Sequence, residues 1–92
     1  MEYTDLELEE KIADLEGTAV HNCLDNTRSF PRYANNLALT FNLMVKYKVS
    51  INRDFEYVEI DNDTIYNQKA FKSESEIPRA IIMCILTSEN II

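Results

Sequence analysis

Apolar positions along this chain fall into a few runs with clear ends. Thr4-Asp5-Leu6-Glu7 has the spacing of a capping box, in which Thr4 and Glu7 satisfy each other's backbone N–H groups. Leu8, Ile12 and Leu15 then recur at helical spacing, with Glu9, Glu10, Asp14 and Glu16 largely off that stripe. Gly17, the only glycine, follows as a residue able to take the left-handed conformation that ends a helix. Residues 5–16 are therefore expected to form an amphipathic helix with a solvated acidic face. The next helical run, Asn35 to Lys48 (NNLALTFNLMVKYK), is the most apolar stretch with both a start and a stop. Pro31 holds Phe30 out of helix, Asn35 or Asn36 can cap, and Lys46 and Lys48 sit where the helix dipole favours cations. Leu37, Ala38, Phe41, Met44 and Val45 share one face, and this helix is expected to be the centre around which two helices and a hairpin pack. Leu39 and Leu43 lie on another side, which suggests burial within the chain or a self-association surface.

Strand alternation takes over after Lys48. Val49 to Asn52 and Phe55 to Ile60 read as extended, with Phe55, Tyr57 and Glu59 on one side and Glu56, Val58 and Ile60 on the other. Asp61-Asn62-Asp63 is turn chemistry, and Thr64 to Ala70 returns as a second strand. Ser73 or Ser75 can cap a last helix, Pro78 fits its first turn, and Ile77, Ala80, Ile81, Cys84 and Ile85 follow the helical period. Ile82, Met83 and Leu86 widen that arc, as packing on a sheet requires. Thr18 to Pro31 is a polar connection in which Ala19, Val20 and Cys23 suggest a short strand or a turn. The fold class expected is α+β: a small antiparallel sheet, either a hairpin or a three-stranded meander, packed with about three helices in the order α-loop-α-β-β-α.

Ninety-two residues with 46% hydrophobic content, one Gly and two Pro point to one folded domain, residues 1–92. No window approaches a membrane span, and the acidic MEYTDLELEE lacks the apolar core of a signal peptide, so a cytoplasmic protein is expected. Cys23 and Cys84 are then expected as free thiols, one in a loop and one in a core helix. His21 and Cys23 are too few for a zinc site, and neither a metal nor a cofactor is expected. The net charge of −7 is laid out in blocks. Residues 1–16 are acidic. From Asn26 to Arg53 there are only bases: Arg28, Arg32, Lys46, Lys48 and Arg53. Asp54, Glu56, Glu59, Asp61 and Asp63 then follow with no base among them.

No catalytic constellation is legible. There is one His, no Gly-rich phosphate loop, no Gly-x-Ser-x-Gly and no His-Glu-x-x-His, and Glu7 and Glu10 read as a solvated face. A non-enzymatic protein is expected. The cationic and aromatic group Arg28, Phe30, Arg32 and Tyr33 has the chemistry to stack on and pair with a nucleotide. Arg28, Arg32, Tyr33 and Lys48 are accordingly the candidates for an anionic small ligand, with loop anchoring as the plainer role.

Pro31-x-Tyr33-x-x-Asn36-Leu37-x-x-x-Phe41 and Glu76-Ile77-Pro78-Arg79-Ala80-Ile81, together with the acidic opening helix ending Leu15-Glu16-Gly17, resemble the small phage-encoded proteins of the phage ABA-sandwich and NinX-like group. The likeness runs from about residue 5 to residue 88. It implies a phage or prophage origin and a sheet covered by helices, and it implies no defined activity. Small size, acidity and this likeness together lead to the expectation of an accessory protein that inhibits a host protein, as an anti-defence or anti-CRISPR-like inhibitor does. Asp54, Glu56, Glu59, Asp61 and Asp63 are the expected contact residues, joined by acids of the first helix, and the partner is expected to bind nucleic acid. The net charge argues against direct DNA binding. A nucleotide-sequestering binder and a self-associating structural protein, pairing through Leu39 and Leu43, are the alternatives.

Overall fold

The computed structural model of the chain describes residues 3–61 and 66–92. Helix α1 runs Asp5–Glu16, followed by a hairpin of β1 (Val20–Asn22) and β2 (Thr27–Ser29). A single 3-10 turn, Tyr33–Asn35, leads into α2 (Leu37–Tyr47). Then come β3 (Val49–Asn52), β4 (Tyr57–Asp61) and β5 (Tyr66–Ala70), a second 3-10 turn at Glu74–Glu76, and α3 (Ile77–Ser88). The α+β class holds: among the described residues there are three helices and two antiparallel sheets, one two-stranded and one three-stranded in the order β3-β4-β5. The meander, rather than the single hairpin, is the form the sheet takes. The turn expected at Asn62-Asp63 lies outside the described residues.

Local chemistry explains the helix ends. At α1 the Thr4 hydroxyl accepts from the Glu7 N–H at 3.1 Å while a Glu7 carboxylate oxygen accepts from the Thr4 N–H at 3.1 Å. That backbone hydrogen bond, seconded by the Thr4 hydroxyl, holds the Glu7 carboxyl below its ordinary value. Gly17, at φ 69, closes the helix, and the Thr18 N–H reaches back to the Ala13 carbonyl at 2.9 Å. Asn36, not Asn35, caps α2 through its side-chain oxygen to the Leu39 N–H at 3.2 Å. At α3 the Glu76 carboxylate accepts from the Lys72 N–H at 3.0 Å, and Pro78 occupies the first turn, where no backbone donor is missed.

The core is built on α3. Ile77, Ile81, Ile82, Cys84, Ile85 and Leu86 are all fully buried. This helix lies across β4 and β5 and also touches α1, α2 and the Tyr33–Asn35 turn. Val58 and Ile60 of β4, Val49 of β3, and Leu8, Ile12 and Ala13 of α1 complete the cluster. Antiparallel pairing sets Val49 opposite Ile60 and Ile51 opposite Val58, so one sheet face is apolar and covered.

Helix α2 departs from the expectation in two ways. It is not the centre of the molecule, and it is turned round. Thr40 and Leu43 are its buried residues, with Leu39, Met44 and Tyr47 half-buried. Leu37, Phe41 and Val45 face outward at 43%, 58% and 67% exposure. The Thr40 hydroxyl bonds to the Leu37 carbonyl at 3.0 Å within its own helix, so a polar residue enters the core at no cost of an unpaired group. Leu43, at 4% exposure, packs inside the chain, and Leu39 is half-buried beside it.

Candidate partner-binding surface

The acids of α1 are engaged within the fold. Glu9, expected on a solvated face, is instead completely buried. Its two oxygens accept from the Arg32 Nε at 2.8 Å and from the Ala34 N–H at 3.0 Å, fixing the turn before α2 against α1. Arg28 of β2 pairs with Glu10 at 2.8 Å and with Asp14 at 2.5 Å. Asp5 pairs with Arg79 at 2.7 Å. Glu16 accepts from the Lys46 Nζ at 2.9 Å and from the Tyr47 hydroxyl at 2.7 Å, which ties α1 to α2. Glu7 and Glu10 do share a shallow depression of about 240 Å³ with Lys11 and Asp14, but Glu7 serves the cap and Glu10 the pair with Arg28.

The same contacts decide the cationic cluster. Arg28 and Arg32 each lie against carboxylates, and Tyr33 is buried with its hydroxyl 3.0 Å from that of Thr18. Lys48 stands apart at the end of α2, in a left-handed conformation at φ 58. These four residues do not converge on a ligand cavity. The two arginines anchor residues 18–35 to α1, with carboxylates of α1 as their partners, and the tyrosine ties the two ends of that segment together.

Burial pushes the Tyr47 phenol well above its ordinary value of 10.0, and its hydrogen bond to Glu16 adds to this. A folded-state value raised above the unfolded one contributes stability that is whole below the unfolded value and is lost as pH rises through the folded value. Tyr47 is thus expected to stay protonated at pH 10 in the folded protein. Replacing it with Phe should leave unchanged the amplitude of tyrosinate absorbance gained by the folded state there. A smaller amplitude in Tyr47→Phe would show that Tyr47 titrates freely.

Of the other described acids, Asp54, Glu56, Glu59 and Asp61 stand together on the β3–β4 hairpin, while Asp25, Glu74, Glu76 and Glu89 lie elsewhere. Ser50 pairs with Glu59 and Asn52 with Tyr57, and Glu59 pairs in turn with Gln68 of β5. Alternation therefore puts Ser50, Asn52, Tyr57, Glu59, Asp61 and Gln68 on the face turned away from the apolar side. Glu59 and Asp61 are two residues apart on that face, about 7 Å along the strand. Asp54 and Glu56 lie in the connecting turn, both exposed, with Phe55 between them at 77% exposure. Glu56 takes the left-handed conformation at φ 59, and its carbonyl accepts from the Phe71 N–H at 2.9 Å. The Asn52 side chain accepts from the Phe55 N–H at 3.2 Å and shapes the turn. Arg53, the nearest base in sequence, is held by Glu74 at 2.9 Å. None of Asp54, Glu56, Glu59 and Asp61 has an ion-pair partner among the described residues. Asp63 lies outside the described residues.

Cys23 is exposed in the β1–β2 turn, and Cys84 is buried in α3, where burial raises its thiol above the ordinary value; both are free. Among the described residues no three His, Cys, Asp or Glu side chains are grouped to hold a metal ion. No helix among them is long and apolar enough to cross a membrane. Comparison with family models, with curated proteins and with solved structures finds no match.

Proposed function

We propose that this chain is a non-enzymatic binding protein, a phage accessory protein of the kind its resemblance implies. It inhibits a host protein by laying the carboxylates of the β3–β4 hairpin on a cationic surface built for nucleic acid. One observation carries this reading. The acids of α1 from Asp5 to Glu16 are matched by bases or caps within the fold, whereas Asp54, Glu56, Glu59 and Asp61, clustered on one hairpin, have no ion-pair partner among the described residues. Uncompensated charge on the open face of a sheet and on its turn steers association with an opposite surface. Carboxylates in a row compete with phosphates for the same lysines and arginines. The exposed Phe55 adds an aromatic anchor beside them.

The test compares the wild-type protein with Glu59→Lys/Asp61→Lys in affinity capture from a bacterial lysate, with heparin as competitor. The expected result is a stoichiometric nucleic-acid-binding partner that heparin displaces and whose affinity for the double variant is about 100-fold weaker. Equal capture by the double variant, or a partner indifferent to heparin, would sink the proposal.

A further inference from the structure

Two arginines tie residues 18–35 to α1, and they are held very differently. Arg32 meets Glu9, whose side chain is fully buried. Arg28 meets Glu10 and Asp14, whose side chains are 49% and 56% exposed. The root of the β1–β2 hairpin is fixed from the inner side. The Thr18 N–H reaches the Ala13 carbonyl at 2.9 Å, the Thr18 hydroxyl lies 3.0 Å from that of Tyr33, and Ala19 and Phe30 pack against the core. Beyond that root every residue from Val20 to Ser29 is exposed. Among the described residues, no hydrogen bond joins this hairpin to another element except those of Arg28.

We infer that the β1–β2 hairpin is a hinged strap, pivoting at Ala19 and Phe30, which Arg28 latches onto α1. Glu10 and Asp14 are four residues apart, so they stand one turn above the other on a single face of the helix. The planar guanidinium spans them, with Nη1 on Glu10 at 2.8 Å and Nη2 on Asp14 at 2.5 Å. Two strands alone are marginal in water, and these two bury no side chain against the body. The position of the strap therefore rests on charge. Half-exposed ion pairs are weak and screened by salt, whereas burial shields the Glu9 pair. Arg28 can let go while Glu9 and Arg32 still hold the root, so the strap opens without disturbing the core. Opening bares Glu10 and Asp14, which line the shallow depression on α1. Ionic strength, or a cation that competes for these two carboxylates, is the signal that releases it.

Distance measurement between two spin labels on the full chain tests this. Cys23, in the turn of the strap, is exposed and Cys84 is buried, so Leu6→Cys adds a second reactive thiol on α1, at a position 56% exposed. The expected result is a narrow distance distribution at about 0.01 M salt that becomes about twofold broader at about 1 M. Arg28→Gln, and separately Glu10→Gln/Asp14→Asn, placed in the labelled chain, should be equally broad at low salt. Cross-strand NMR contacts between Val20 and Ser29 should persist in both variants. A distribution already broad at low salt in the chain with the latch intact, or still narrow at high salt, overturns the inference. So does a narrow distribution in either variant, since removing the latch from one side must match removing it from the other. Loss of the Val20–Ser29 contacts would mean that the hairpin melts rather than swings, and overturns it equally. None of these outcomes bears on the capture of a cationic partner by the β3–β4 hairpin.

Discussion

Arg32→Ala is expected to destabilise the fold by about 3–5 kcal/mol, the cost of leaving a buried charge without its partner. Glu9→Gln is expected to cost only about 1–2 kcal/mol, because the amide oxygen can still accept from the Ala34 N–H. The asymmetry follows from burial. The Glu9 side chain is fully buried and that of Arg32 is 60% exposed. Freed from its partner, the arginine turns into water, but the carboxylate has nowhere to go. The double variant should therefore be more stable than Arg32→Ala alone, a coupling measured by urea denaturation of all four members of the cycle. A strictly additive cycle, or an Arg32→Ala variant within about 0.5 kcal/mol of the wild type, would falsify the pair as a structural anchor.

The elements of this fold were legible because their ends carry specific chemistry. Thr4 with Glu7, Gly17 and Pro78 marked helix boundaries that the structure keeps within a residue or two. Orientation was less legible. On α1, Glu9 lies between Ile12 and Ala13 on the wheel, and Glu16 adjoins Ile12, so both acids fall within the inward arc. A helical projection alone would have flagged them. What the sequence could not show was which base would come from elsewhere to meet each one: Arg32 from 23 residues away and Lys46 from 30. On α2 the periodicity was ambiguous because apolar residues surround the helix, and one of its buried positions is the polar Thr40. Its hydroxyl, satisfied by its own backbone, made it a core residue. The Glu16 contacts of Lys46 and Tyr47 then fix which side of the helix faces α1.

The candidate surface was legible for a simpler reason. The run from Asp54 to Asp61 has no base in sequence, and the turn and strand keep its acids exposed or half-exposed. The two ends of the run do not contribute alike, since alternation puts Glu59 and Asp61 on the open face while Asp54 and Glu56 depend on the turn. The cationic cluster, equally conspicuous in sequence, proved to be structural. Arg28 and Arg32 find their partners in the acidic helix that precedes them, and a composition map does not record distances in space.

Ile81→Ala is expected to cost about 3–4 kcal/mol, while Phe41→Ala stays within about 0.5 kcal/mol of the wild type. Ile81 is fully buried on a helix that packs against the sheet and against both other helices, so a cavity there cannot collapse from one side. A chain of this size has one core, and at about 4–8 °C per kcal/mol the loss should lower the melting temperature by at least about 12 °C. Phe41 is the larger side chain and sits in the better delimited apolar run, yet it is 58% exposed and truncating it opens no cavity. Equal losses for the two variants, read by thermal or urea denaturation, would mean that Phe41 packs inward as Ile81 does and that α2 presents its other face to water.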